Sequence, residues 1–144
     1  MILRPKEDLS VAKIYRSKEQ TYSFDFPYQC GQNCDLPYDA QDGSHKVEHN
    51  DIIVLATDGV TDNVFDKQII DDCIYPHLKR TRDLPRPEDS ALCISSMAEV
   101  LSYSSKHESP YTVSAVEHGK KREENLGGKE DDITVVVAQV KLHH

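Results

Sequence analysis

Two apolar runs dominate the chain, Ile52-Ile53-Val54-Leu55-Ala56 and Ile133-Thr134-Val135-Val136-Val137-Ala138. Unbroken, β-branched-rich runs of this length, bounded by turn residues, predict fully buried strands and mark the centre of one core. Earlier in the chain, Val11-Ala12-Lys13-Ile14-Tyr15 and Thr21-Tyr22-Ser23-Phe24-Asp25-Phe26 alternate apolar with polar. That period predicts two strands, paired antiparallel around the polar connection 16–20. Residues 27–50 hold no apolar period and are rich in Asp, Gly, Asn and Gln, which predicts a long surface loop.

Helical periods begin after the first run. Phe65, Ile69, Cys73 and Ile74 recur at helical spacing, with Asn63 or Asp66 as cap and Pro76 near the end. Residues 80–89, with Pro85 and Pro87 among charges, read as a linker. Pro87-Glu88-Asp89 then opens a second helix carrying Ile94, Met97, Ala98 and Leu101 on one face. Residues 106–129 are polar, with Gly119, Gly127 and Gly128, and read as a loop returning to the last strand. The order strand, strand, strand, helix, helix, strand does not alternate β with α, so the expected class is α+β and not a doubly wound sheet.

With 144 residues, 38% of them hydrophobic, one cored domain is expected over 1–144. The excess of 25 acidic over 17 basic residues gives a net charge of -8, which disfavours nucleic acid and anionic membrane surfaces as partners. The same carboxylates favour hard divalent cations wherever several converge. Cys30, Cys34, Cys73 and Cys93 form no dense disulfide framework, and no apolar stretch reaches the length of a membrane span, so a reducing intracellular compartment is expected. Cys73 and Cys93 fall on apolar helix faces and read as packed thiols. The first residues have neither signal-peptide nor transit-peptide character. The terminal His143-His144 is either natural or the stub of a tag and is given no functional role.

Candidate chemistry lies at the ends of the apolar runs. In Asp58-Gly59-Val60-Thr61-Asp62-Asn63, a carboxylate leaves a strand, glycine allows a tight turn, and a second carboxylate follows four positions on. Such a segment can aim two carboxylates at one point, although Asp-Gly is also an ordinary turn and Asp62 or Asn63 an ordinary cap. Glu130-Asp131-Asp132 precedes the last strand, where alternation lets only one of Asp131 and Asp132 face a given site. A plain Gly-Gly-Lys-Glu-Asp-Asp turn is the alternative. Taken together, carboxylates at the ends of two neighbouring core strands call for a cation, since otherwise like charges would raise each other's pKa and cost stability.

The segments from Asp51 to Asn63 and from Gly128 to Ala138 resemble the last two signature blocks of type 2C (PPM-type) serine/threonine protein phosphatases, in the right order. Tyr15-Arg16-Ser17-Lys18-Glu19-Gln20, Phe26-Pro27-Tyr28-Gln29 and Ser109-Pro110-Tyr111 resemble the mitochondrial, yeast Ptc-seven-like branch. The resemblance implies an antiparallel β-sandwich flanked by helices, in α-β-β-α layers, of which residues 1–144 would be the C-terminal part. It implies manganese or magnesium, two ions per intact site, activating a water for hydrolysis of phosphoserine and phosphothreonine in proteins. Asp58 and Asp131 would be metal ligands, Asp62 would lie near an additional weaker metal site, and Asp132 would be a neighbour. The family's N-terminal blocks, which supply a phosphate-holding Arg and the bridging Asp-Gly pair, have no counterpart, and the chain would start after the internal Gly-Asp-Ser-Gly block. The resemblance therefore implies weak metal binding, little activity in isolation, a phosphoprotein substrate, and mitochondria as one compartment for the intact protein. Half a sandwich would also expose apolar strand faces, favouring a homo-oligomer or pairing with an N-terminal half.

Two other readings stand beside this one. The domain could be a non-catalytic, phosphatase-like remnant that binds partners. Alternatively, Cys30-x3-Cys34 followed by His45-x3-His49 approximates zinc-ligand spacing and could found a zinc-binding interaction domain, although the interval between the pairs is short and contains Pro37.

Overall fold

Leu3, Ile52 and Val54 are almost wholly shielded from solvent because they project from adjacent strands onto the same helical layer. The computed structural model describes every residue except Asn33, His143 and His144, so the terminal histidine pair considered above lies outside the described residues. The main sheet has four antiparallel strands in the order β2-β1-β5-β6, formed by Ile2–Pro5 (β1), Val11–Tyr15 (β2), Ile52–Ala56 (β5) and Val135–Gln139 (β6). Thr21–Ser23 (β3) and Phe26–Pro27 (β4) form a separate two-stranded hairpin. Its turn places Asp25 at φ 57, a left-handed position that Asp tolerates better than most residues.

The strand predicted over 11–15 forms in full, and the one predicted over 21–26 is broken into a hairpin by a turn at Phe24 and Asp25, but the two do not pair with each other. β2 pairs with β1, and β3 pairs with β4. Alternation specifies an extended half-buried segment and leaves its partner open, and here Ile2 and Leu3 enter the sheet between β2 and β5. The segment 16–20 leads away from the main sheet, with Arg16 held by Asp66 at 3.1 Å.

The runs predicted to be buried on both faces are buried on one. β5 alternates toward its end, with Val54 enclosed and Leu55 60% exposed, and Leu55 pairs directly with Val136, itself 51% exposed. Val135 and Val137, on the other face of β6, pack against the core. The helices cover this inner face alone, and the sheet's outer face is an apolar surface.

The helical layer starts with Asp58–Thr61 (α1), followed by Asp66–Gln68 (α2), which runs into a π-helical stretch, Ile69–Ile74, and a closing 3₁₀ turn, Tyr75–His77, containing Pro76. Of the predicted apolar period, Ile69, Cys73 and Ile74 are buried, whereas Phe65 precedes α2 and is exposed. Asn63 is not a cap; it is a buried clamp. The second helix, Pro87–Ser102 (α3), begins at the predicted proline, buries Ile94 and Ala98, and rests on β6, the π-helical stretch and α1.

The segment 106–129 is not a plain loop. It contains Pro110–Glu117 (α4), capped by the Ser109 side chain accepting from the Thr112 amide, and the short Arg122–Asn125 (α5). The Ser-Pro pair at the start of α4 is a cap-and-N1 signal that the surrounding polarity obscures.

Cys73 and Cys93 are not packed thiols: they form a disulfide between the π-helical stretch and α3, with Cα atoms 5.5 Å apart. Sequence separation gives no indication of that proximity, which arises only when the two helical segments pack. The bond removes the cysteine-based argument for a reducing compartment. Among the described residues, no helix is long and apolar enough to cross a membrane.

Candidate functional site

The register of β5 against the edge strand β6 sets the site. Ala56 pairs with Val135 at the end of the β5–β6 ladder, so the segments leading to Asp58 and from Asp131 emerge at the same edge of the sheet. Thr57 stitches them together: its Oγ1 donates to the Asp132 carbonyl at 2.7 Å and accepts from the Thr134 amide at 2.9 Å, while its own amide donates to the Thr134 carbonyl at 3.1 Å. Gly59 permits the close approach. A Cβ there would lie 2.5 Å from the Asp132 carbonyl oxygen and 3.1 Å from that of Asp131.

Asn63 fixes the turn from behind. Its buried amide donates to the carbonyls of Gly59 (2.8 Å) and Lys129 (2.7 Å), and its Oδ1 accepts from the Lys129 amide (2.8 Å). The Asn63 carbonyl is in turn bonded to His107 Nε2 at 2.7 Å. One side chain thus holds α1 to the extended segment that carries Asp131 and leads into β6. Gly128, just before it, lies so close to the Leu101 and Ser102 backbone that a Cβ would overlap both.

Asp58 and Asp131 are both exposed, and their described hydrogen bonds are local ones from the next amide, Gly59 and Asp132 respectively. Neither has an ion-pair partner among the described salt bridges. Asp58 lines a cleft of about 280 Å³ shared with the β3–β4 hairpin, Asp62, Tyr111 and Lys129. Asp131 and Asp132 line a separate groove of about 440 Å³ against α3. The backbones therefore meet while the carboxylates open on separate cavities. Among the described residues, no group of three or more His, Cys, Asp or Glu is gathered closely enough to hold a metal by itself. The chemistry of Asp58 and Asp131 nevertheless fits a hard divalent cation, since both offer uncompensated oxygen donors at one edge.

Asp62 is placed differently. Its Oδ2 accepts from Lys129 Nζ at 2.9 Å, and the same ammonium reaches Asp25 Oδ1 at 3.0 Å. Burial pushes the Asp62 carboxyl up, with Lys129 pulling against it. Burial also works to lower Lys129, but Asp62 and Asp25 outweigh it and hold the ammonium well above the ordinary lysine range. A cationic tenant already sits where the weaker metal site is expected.

The zinc reading finds its residues dispersed. Cys30 and Cys34 are exposed free thiols, His45 packs against Tyr15 in a tilted pair with ring centroids 3.6 Å apart, and His49 Nδ1 accepts from the Leu142 amide. Sequence reasoning missed Lys129, Asp25 and Tyr111, whose association spans long stretches of chain and leaves no local signal, and it misread Asn63 as a cap.

With its helix-backed antiparallel sheet and the carboxylates at the end of the β5–β6 pair, the chain is similar in sequence and in fold to type 2C protein phosphatases. It is 30% identical over 142 residues to the PTC7 homolog fig of Drosophila ananassae, covering 90% of this chain and 40% of the relative. It is 34% identical over 141 residues to fig of Drosophila willistoni, covering 90% and 42%. It is 33% identical over 129 residues to the probable protein phosphatase 2C 80 of Arabidopsis thaliana, covering 88% and 30%. The X-ray structure of the photosystem II phosphatase PBCP superposes with a TM-score of 0.76 at 27% identity, over 97% of this chain and 54% of that one. No family model matches the chain. The chain thus spans about two fifths of the length of the PTC7 homologues it resembles.

Proposed function

We propose that residues 1–144 are the C-terminal part of a phosphatase domain that hydrolyses phosphoserine and phosphothreonine in proteins, and that this part supplies Asp58 and Asp131 to a divalent-metal centre. The observation that carries the reading is the join at Gly59 and Thr57, which brings two uncompensated aspartates to one edge of the sheet. Manganese or magnesium bound there would supply an activated water and neutralise charge on the phosphate. The chain's own residues bind and orient: Asp58 and Asp131 offer the oxygens, while Thr57, Gly59 and Asn63 hold their backbones in register. Two ligands from one part of a site predict weak affinity and little turnover by this chain alone.

The outer face of the sheet, with Leu55 and Val136, is the surface on which the remainder of the domain would lie; a second copy of the chain is the other occupant. We place the intact protein inside the cell, with mitochondria as the compartment suggested by the resemblance to the Ptc-seven-like branch.

Mn²⁺ binding followed by electron paramagnetic resonance, together with hydrolysis of p-nitrophenyl phosphate and a phosphothreonine peptide, tests the reading. Asp58→Asn and Asp131→Asn are each expected to weaken Mn²⁺ binding by about tenfold or more. Unchanged binding in both would sink the assignment. Turnover abolished by Asp58→Asn marks a working enzyme, whereas metal binding without turnover favours the second reading, a phosphatase-like binding module, which the lack of a complete cluster among the described residues supports.

A further inference from the structure

Four separate elements converge on the Lys129 ammonium. Asp62 comes from the end of α1, Asp25 from the tip of the β3–β4 hairpin, Tyr111 from the start of α4, and Lys129 from the approach to β6. The nitrogen lies 2.9 Å from Asp62 Oδ2, 3.0 Å from Asp25 Oδ1 and 4.8 Å from the centre of the Tyr111 ring. The Tyr111 hydroxyl donates to Asp25 Oδ2 at 3.3 Å, and its amide donates to the Asp62 carbonyl at 3.0 Å. An ammonium so held has two carboxylates and an aromatic face as partners, the set that would otherwise attract a free cation.

We infer that Lys129 is a built-in cation which takes the place of a divalent ion between Asp62 and Asp25 and ties the β3–β4 hairpin to the site edge without metal. A divalent ion on Asp62 would sit within a few ångströms of the ammonium, where like charges repel. Asp62 is therefore a positioning residue, acting through Lys129, and not a metal ligand. The hairpin, one wall of the cleft beside Asp58, is held by a salt-sensitive contact and is indifferent to chelation. The inference takes Asp58 and Asp131 as the metal-binding carboxylates, but it concerns different residues and fails separately.

The test counts Mn²⁺ ions bound by the 144-residue chain and its variants, with circular dichroism confirming folding. Asp62→Asn is expected to change the Mn²⁺ affinity of the otherwise native chain by less than about threefold, where even an outer-shell partner of a bound metal typically costs about tenfold. Lys129→Met is expected to bind one Mn²⁺ more than the native chain, and Lys129→Met combined with Asp62→Asn to lose it again. Lys129→Arg, which keeps the charge, gains none. A loss of threefold or more in Asp62→Asn, or a folded Lys129→Met with no additional ion, overturns the inference. Should Lys129→Met fail to fold, the Asp62→Asn affinity decides alone; should the native chain bind no Mn²⁺, the proposed centre at Asp58 and Asp131 fails and the ion count in Lys129→Met decides this one.

Discussion

At the scale of single residues, the most consequential buried charge lies away from the proposed site. Asp51 is fully buried at the head of β5 and accepts two hydrogen bonds from Arg4, both at 2.8 Å, and a third from the Glu48 amide. Burial works to raise its carboxyl, but Arg4 and the Glu48 amide outweigh it and hold the group below the ordinary range. A lowered folded pKa contributes stability that is fully present above the unfolded value of about 3.9 and is lost as pH falls through the folded value. Asp51→Asn is accordingly expected to cost about 2–3 kcal/mol at neutral pH, because it leaves Arg4 facing a neutral amide. Urea unfolding at about pH 7 and about pH 3 checks the sign: the gap between native and variant chains narrows at the lower pH. A gap that widens on acidification would contradict the assigned direction. Sequence reading placed Asp51 only as the boundary of an apolar run, since its partner stands 47 positions away.

At the scale of elements, local chemistry marks the start of α3 at Pro87, whereas the expected tight turn at Asp58-Gly59 is the first turn of α1, and its glycine is required by the distant Asp132 carbonyl. Pairing partners were not legible in the same way. β2 and β3 have the right alternation, yet which strand each joins depends on Ile2 and Leu3 arriving between β2 and β5. The π-helical stretch was equally hidden, because Ile69, Cys73 and Ile74 satisfy a helical period whether or not the hydrogen-bond spacing widens. Asn63 shows why site geometry depends on such non-local terms: its side chain is the mortise between α1 and the segment leading to β6. Asn63→Ala strands the carbonyls of Gly59 and Lys129 and the Lys129 amide, and is expected to destabilise the chain by about 2–4 kcal/mol. The midpoint of urea unfolding should fall with its slope unchanged; an unaltered midpoint would mean water replaces the clamp at no cost.

At the scale of the whole molecule, the sequence indicated the class and the strands β5 and β6, but not that β6 stands at the edge of the sheet, and the number of faces each strand buries depends on what lies beyond them. The same apolar runs read as doubly buried in the sequence and as singly covered in the folded chain, because helices pack on one face of the sheet alone. Leu55 and Val136 leave that outer face apolar over paired positions. The chain is therefore expected to self-associate at micromolar concentration, and Leu55→Lys with Val136→Lys to shift sedimentation toward monomer. A monomer in both cases would count against an unmet sheet face. A different kind of wholeness follows from the Cys73–Cys93 bond, whose two ends stand 20 positions apart around the basic stretch containing Lys79, Arg80 and Arg82. That stretch is a covalent ring, so a protease that cuts the exposed Lys79 or Arg80 opens the ring without severing the molecule, and the two pieces part company only when a reductant reaches the sulfurs.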